Sequence, residues 1–104
     1  MEMLKHYEQE TKVGKIEIWV KGDSEDLNEV GILFDFHEIK KIKEILDHKD
    51  LSVEFKDKNA TTENIALFIY NYLHELENYT KCDFKVRFYE NAVFKQNYVE
   101  LGDF

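Results

Sequence analysis

Leu46-Asp47-His48-Lys49-Asp50-Leu51 and Thr61-Thr62-Glu63-Asn64-Ile65-Ala66 decide how the middle of this chain is read. In the first stretch an apolar helix face ends at Leu46 and charged residues follow. On a plain structural reading Asp47 is expected to end the helix, with His48 in the turn after it. In the second, the Thr61 hydroxyl is placed to cap a new helix, and Glu63 brings negative charge to its first turn, where the helix dipole favours it. One helix stops and another starts here.

Outward from this junction the periodicities are consistent. Asp35 is a candidate N-cap, and Glu38 three residues on resembles a capping box. Phe36, Ile39, Ile42 and Leu46 then recur on one face, opposite lysines. In the second helix Ile65, Phe68, Ile69, Tyr72 and Leu76 form the stripe predicted to be buried. Ile16, Ile18 and Val20 alternate with Glu17, Trp19 and Lys21, the period of a half-buried strand. A weaker alternation runs from Met3 to Gln9, and Thr11 to Lys15 around Gly14 closes a hairpin between the two. Gly22 to Asn28 reads as a loop, and Gly31 to Phe34 as a short apolar run that extends or flanks the sheet. Phe84, Val86 and Phe88 alternate again, a turn follows at Glu90-Asn91, and Val93 to Leu101 supplies a fourth strand. The order β-β-α-α-β-β predicts an α+β fold, with a four-stranded antiparallel sheet and both helices on one face.

Composition narrows the function. The 104 residues hold one expected domain over 1–104, without repeats or low-complexity tracts. Hydrophobic residues make up 43% and aromatics 14%, enough for a folded core. The net charge of −8, with 22 acidic against 14 basic side chains and Arg87 the only arginine, argues against nucleic acid as a partner. No membrane-spanning run and no secretory signal from Met1 to Lys5 is evident, so a cytoplasmic location is expected. The lone Cys82, at the start of the third strand, reads as structural and fits a reducing compartment. His37 and His74 read as solvated, and Trp19 faces away from the isoleucines that flank it.

Four segments carry a resemblance. Leu46 to Leu51 is similar to an L-D-H-x-x-L segment, and Thr61 to Ala66 to a T-x-E-N-I/V/L-A segment that opens the following helix. Gly31-Ile32-Leu33-Phe34-Asp35-Phe36 resembles G-x-V/L-x-D-F. Phe84 to Glu90 resembles a strand that ends in E-T or E-S, with Asn91 in place of the hydroxyl residue. In that order they resemble the 6-pyruvoyl tetrahydropterin synthase and 6-carboxytetrahydropterin synthase family. The resemblance spans roughly Ile16 to Leu101 and implies the tunnelling fold, assembled as a homo-trimer or homo-hexamer.

The resemblance also implies roles. Asp47 and His48 occupy the positions of a pair that transfers protons around the pterin side chain; a carboxylate beside an imidazole orients it and raises its basicity. Glu90 matches the glutamate that accepts hydrogen bonds from the pterin ring, a task suited to two carboxylate oxygens. Thr61 and Thr62 lie where the ligand is contacted. Each also has a plain structural reading: Asp47 as helix end, Glu90 as hairpin residue, Thr61 as cap.

The resemblance fails at the metal. The family holds zinc with two histidines in H-G-H-N-Y at the start of its second strand, and alignment on Ile16, Ile18 and Val20 puts Glu10 and Lys12 there. Lysine is no zinc ligand at neutral pH. A third histidine comes from the first strand, where His6 is the sole candidate. The longer segment that carries the family's catalytic cysteine is missing, and Cys82 lies far from its place. No metal or other cofactor is therefore expected. Two functions are compatible with these residues: a pterin synthase acting on a dihydroneopterin-type substrate, or a zinc-free pterin- or purine-like binding or scaffold protein.

Overall fold

Lys15–Asp23 forms the strand on which the sheet is built. The computed structural model describes residues 2–26, 33–48, 61–90 and 98–104. The strands β1 (Glu2–Glu10), β2 (Lys15–Asp23), β3 (Asp83–Tyr89) and β4 (Tyr98–Gly102) pair antiparallel in the order β1-β2-β3-β4. Register sets Tyr7 opposite Ile18, Ile18 opposite Val86, and Tyr89 opposite both Lys15 and Tyr98. The first hairpin is longer than its alternation suggests. Its turn is held by Thr11, whose N–H donates to the Gly14 carbonyl at 2.8 Å and whose hydroxyl donates to the same oxygen at 2.7 Å. Gly14 is required by space: a Cβ there would lie 2.0 Å from the Tyr89 carbonyl oxygen and 2.7 Å from the Phe88 ring.

Helix α1 (His37–His48) and helix α2 (Thr62–His74) follow. Asp35 Oδ1 accepts from the His37 N–H at 2.9 Å, so the expected cap is made. Glu38 does not complete a capping box; its Oε1 lies 3.4 Å from Lys41 Nζ instead. Ile39, Ile42 and Leu46 are buried, but Phe36 precedes the helix and is exposed, its ring near Tyr7 and under Lys40. In α2 the Thr61 hydroxyl accepts from Asn64 N–H at 3.2 Å. The face it buries is centred on Ile65, Ala66, Ile69 and Leu73, rotated from the predicted stripe. Ala66 lets the helix lie close to the sheet, while Phe68, Tyr72 and Leu76 flank the core, partly buried.

Both helices cover the same face of the sheet. Their buried residues join Ile16, Ile18, Val20, Phe84, Val86 and Phe88 in one cluster, closed by Leu33, Phe34 and Cys82. Each fully buried aliphatic or phenyl side chain contributes roughly 1.5 to 3 kcal/mol. Leu33 and Phe34 therefore flank the sheet without extending it. Of the expected Gly22–Asn28 loop, Gly22 and Asp23 belong to β2 and residues 24–26 form a short 3-10 turn. Lys49, Asp50, Leu51, Gly31, Ile32, Asn91 and the expected strand start at Val93 lie outside the described residues.

The last residues are latched to the start of β3. The Asp103 N–H donates to the Phe84 carbonyl, and Asp103 Oδ2 accepts from Phe84 N–H, each at 2.8 Å. His74 Nε2 lies 2.8 Å from the same carboxylate oxygen, and the Tyr70 hydroxyl donates to the other. His74 is exposed, as predicted, and its ring also contacts Asp103. Burial opposes ionisation of Asp103, but these partners outweigh it and hold the carboxyl below its usual range.

Candidate functional site

Asp47 and Glu90 lie toward one end of the sheet, near the first hairpin turn. β3 ends at Tyr89 opposite Lys15, so Glu90 leaves the sheet beside the Thr11–Gly14 turn. α1 ends at the same turn, where Asp47 Oδ1 accepts from the Lys12 N–H at 2.8 Å. α2 packs along β3 and β4, and its final residue, His74, meets the Phe84 ring at β3's start with centroids 5.5 Å apart. The opposite end of α2, with Thr61 and Thr62, therefore lies toward Glu90.

Within that end the side chains are differently committed. The Asp47 side chain is only 3% exposed and uses both oxygens, Oδ1 on the Lys12 N–H and Oδ2 on Lys43 Nζ at 2.7 Å. Burial alone would raise its pKa, but the Lys43 ammonium and the Lys12 N–H outweigh it and hold the carboxyl below its usual range. The carboxylate is a clasp between helix and hairpin, and it does not hydrogen-bond the exposed ring of His48 at the helix end. Thr61 caps α2, and Thr62 is its half-buried first residue, with an N–H free of intrahelical partners. Glu90 is exposed and its carboxylate takes no hydrogen bond from any described residue. Glu90 thus offers two acceptor oxygens to solvent just beyond the end of β3.

The other face of the sheet carries a polar network of which sequence reasoning had singled out only Trp19 and His6, without their partners. Alternation turns Lys15, Glu17 and Trp19 away from the helices, yet Lys15 is 3% and Glu17 7% exposed. Register supplies their partners. Lys15 Nζ lies 3.1 Å from Glu8 Oε1 and 3.9 Å from Glu17 Oε1, and 5.6 Å over the Tyr89 ring. His6 Nε2 lies 2.8 Å from Glu17 Oε2, and its ring stacks on Trp19 at 4.6 Å. Burial pushes the Glu17 pKa up, but Tyr89, His6 and Lys15 together bring it below the usual value. Burial and the neighbouring Glu17 raise that of Tyr89. Arg87 packs between Trp19 and Tyr98, at 4.9 and 4.7 Å, with its Nε 2.6 Å from Glu100. The detectable signal was the pair of charged residues, Lys15 and Glu17, interleaved with isoleucines.

The residues present do not fit a zinc ion at the positions the alignment indicates. Glu10 ends β1 opposite Lys15, Lys12 lies in the turn, and His6 stands opposite Trp19. Four residues of strand separate His6 from Glu10, about 13 Å. Cys82 is buried beside Gly22 at the opposite end of β3 from Glu90, in a packing position.

The family model described as 6-pyruvoyl tetrahydropterin synthase matches residues 13–100. The match takes in β2, both helices, β3 and most of β4, and the chain belongs to that family. Its four-stranded antiparallel sheet with two helices, in the order β-β-α-α-β-β, is the tunnelling fold. No curated protein matches the chain. Among the described residues no helix is long and apolar enough to cross a membrane.

Proposed function

We propose that this member of the 6-pyruvoyl tetrahydropterin synthase family binds a dihydroneopterin-type or purine-like ligand at the end of β3. Glu90 accepts hydrogen bonds from the ring's N–H and amino groups, and Thr61 and Thr62 contact the ligand from the start of α2. The observation that carries this reading is the contrast between two carboxylates at one end of the sheet. The Asp47 side chain is buried and fully engaged, whereas Glu90 is exposed and takes no hydrogen bond from a described residue. Binding without a zinc ion accords with the separation of His6, Glu10 and Lys12. The lone buried thiol accords with a cytoplasmic location.

A synthase that turns over a dihydroneopterin-type substrate, with Asp47 and His48 moving protons, is the alternative. The exposed imidazole of His48 at this end favours it; the clasp that engages both oxygens of Asp47 opposes it. Incubation of metal-free protein with a dihydropterin substrate, followed by chromatography, separates the two. Binding without conversion is expected, and conversion abolished by His48→Ala would establish the synthase.

Assembly is part of the same proposal. Among the described residues β1 and β4 are the edges of the sheet, and pairing of edges between copies removes them. A homo-trimer or homo-hexamer is expected in sedimentation at micromolar concentration, and a monomer there would overturn it.

A further inference from the structure

We propose that Lys15 supplies, from within the chain, the cation that His6, Glu8 and Glu17 would otherwise take from solution. The helix-free face is then a latent divalent-metal site closed by a lysine, and removal of that lysine opens it. One ligand atom from each of the three residues lies within 4.8 Å of the others, on adjacent strands. An imidazole with two carboxylates is a donor set that zinc and similar divalent ions accept. Donors around a tetrahedral zinc stand roughly 3.3 Å apart for bonds of about 2.0 to 2.1 Å. The set is therefore slightly open, and Glu8, half exposed, is the member able to close it.

The Lys15 ammonium is seated among these acceptors, close to an oxygen of each carboxylate, with its side chain only 4% exposed. It ligates nothing, and its charge repels an arriving dication where little water intervenes to screen it. Register explains why it is there. Glu8 faces Glu17 directly across the β1–β2 pair, an arrangement of like charges that destabilises a sheet unless a cation bridges it. Lys15, two residues from Glu17 on the same face, is that bridge. This lysine is distinct from Lys12, the residue aligned with a zinc histidine. The inference stands apart from pterin binding, and its test uses no pterin.

The test compares metal-free wild type with Lys15→Met, which keeps the stem and removes the charge, and Lys15→Gln, which keeps a donor. Cobalt(II) is titrated into each, and visible absorption and thermal unfolding are recorded. Wild type is expected to take up no cobalt at His6. The variants should bind one ion per chain at least about 100-fold more tightly than wild type, with a raised unfolding temperature. Adding His6→Ala or Glu17→Gln to Lys15→Met should abolish that binding. If neither Lys15 variant folds alone, folding restored by cobalt supports the proposal and failure to restore it overturns it. The proposal also falls if wild type binds one ion that His6→Ala removes, or if folded Lys15→Met binds none.

Discussion

Ile16, Ile18 and Val20 on one side of β2, and Lys15 and Glu17 on the other, are all buried, by opposite chemistry. The first set is covered by two helices and packs against Phe84, Val86 and Phe88. The second is shielded by neighbouring polar and aromatic side chains, each supplying charge or hydrogen bonds the other needs. An apolar face is stabilised by whatever covers it. A polar face depends on particular partners at particular register, so its loss should be smaller but more selective.

That contrast is open to direct attack. Phe84→Ala, on the helix side, should cost about 3 to 5 kcal/mol of stability, read by chemical denaturation, because a cavity forms among residues that cannot collapse. On the polar face, Glu17→Gln should cost about 1 to 3 kcal/mol, since the amide leaves Lys15 and His6 less well satisfied. If Glu17→Gln costs as much as Phe84→Ala, the polar network is an equal source of stability and the contrast fails.

The helix side was legible because its signal is local. Alternation in β2 and β3, the apolar spacing of α1, and the caps at Asp35 and Thr61 are each contained in a few neighbouring residues. The helix-free face was not legible beyond Trp19 and His6, because Glu8, Lys15 and Tyr89 meet only once three strands are in register. The same holds at the candidate site. Asp47 was identified, but its partner Lys12 belongs to a turn 35 residues away in sequence, and nothing local announces that contact. The contact of exposed His74 with Asp103 was not legible either, because Asp103 reaches it from the far end of the chain. The rotation of α2 toward Leu73 reflects Tyr72, whose hydroxyl favours the margin of the core over its centre.

The Asp47 clasp sharpens the comparison at the sheet's end. Its folded pKa lies below the unfolded carboxyl value of about 4, so its contribution is complete above that value and is lost as pH falls through the folded pKa. Asp47→Asn should therefore lower stability by about 1 kcal/mol at neutral pH, with the gap closing in acid. A gap that persists unchanged in acid would show that the carboxylate's charge is not what fastens the turn. Thr61→Ala should also cost about 1 kcal/mol, through the lost cap, but with no dependence on carboxylate ionisation.

Glu90 should behave unlike all of these, because it supports ligand and not fold. Calorimetric titration of neopterin into wild type and Glu90→Ala tests this most directly. Wild type should bind, and the variant should bind about 2 to 4 kcal/mol more weakly, while its unfolding midpoint stays within about 0.5 kcal/mol of wild type. Equal affinity in both proteins, or no binding by wild type, would contradict the claim that this end of the sheet is a pterin site.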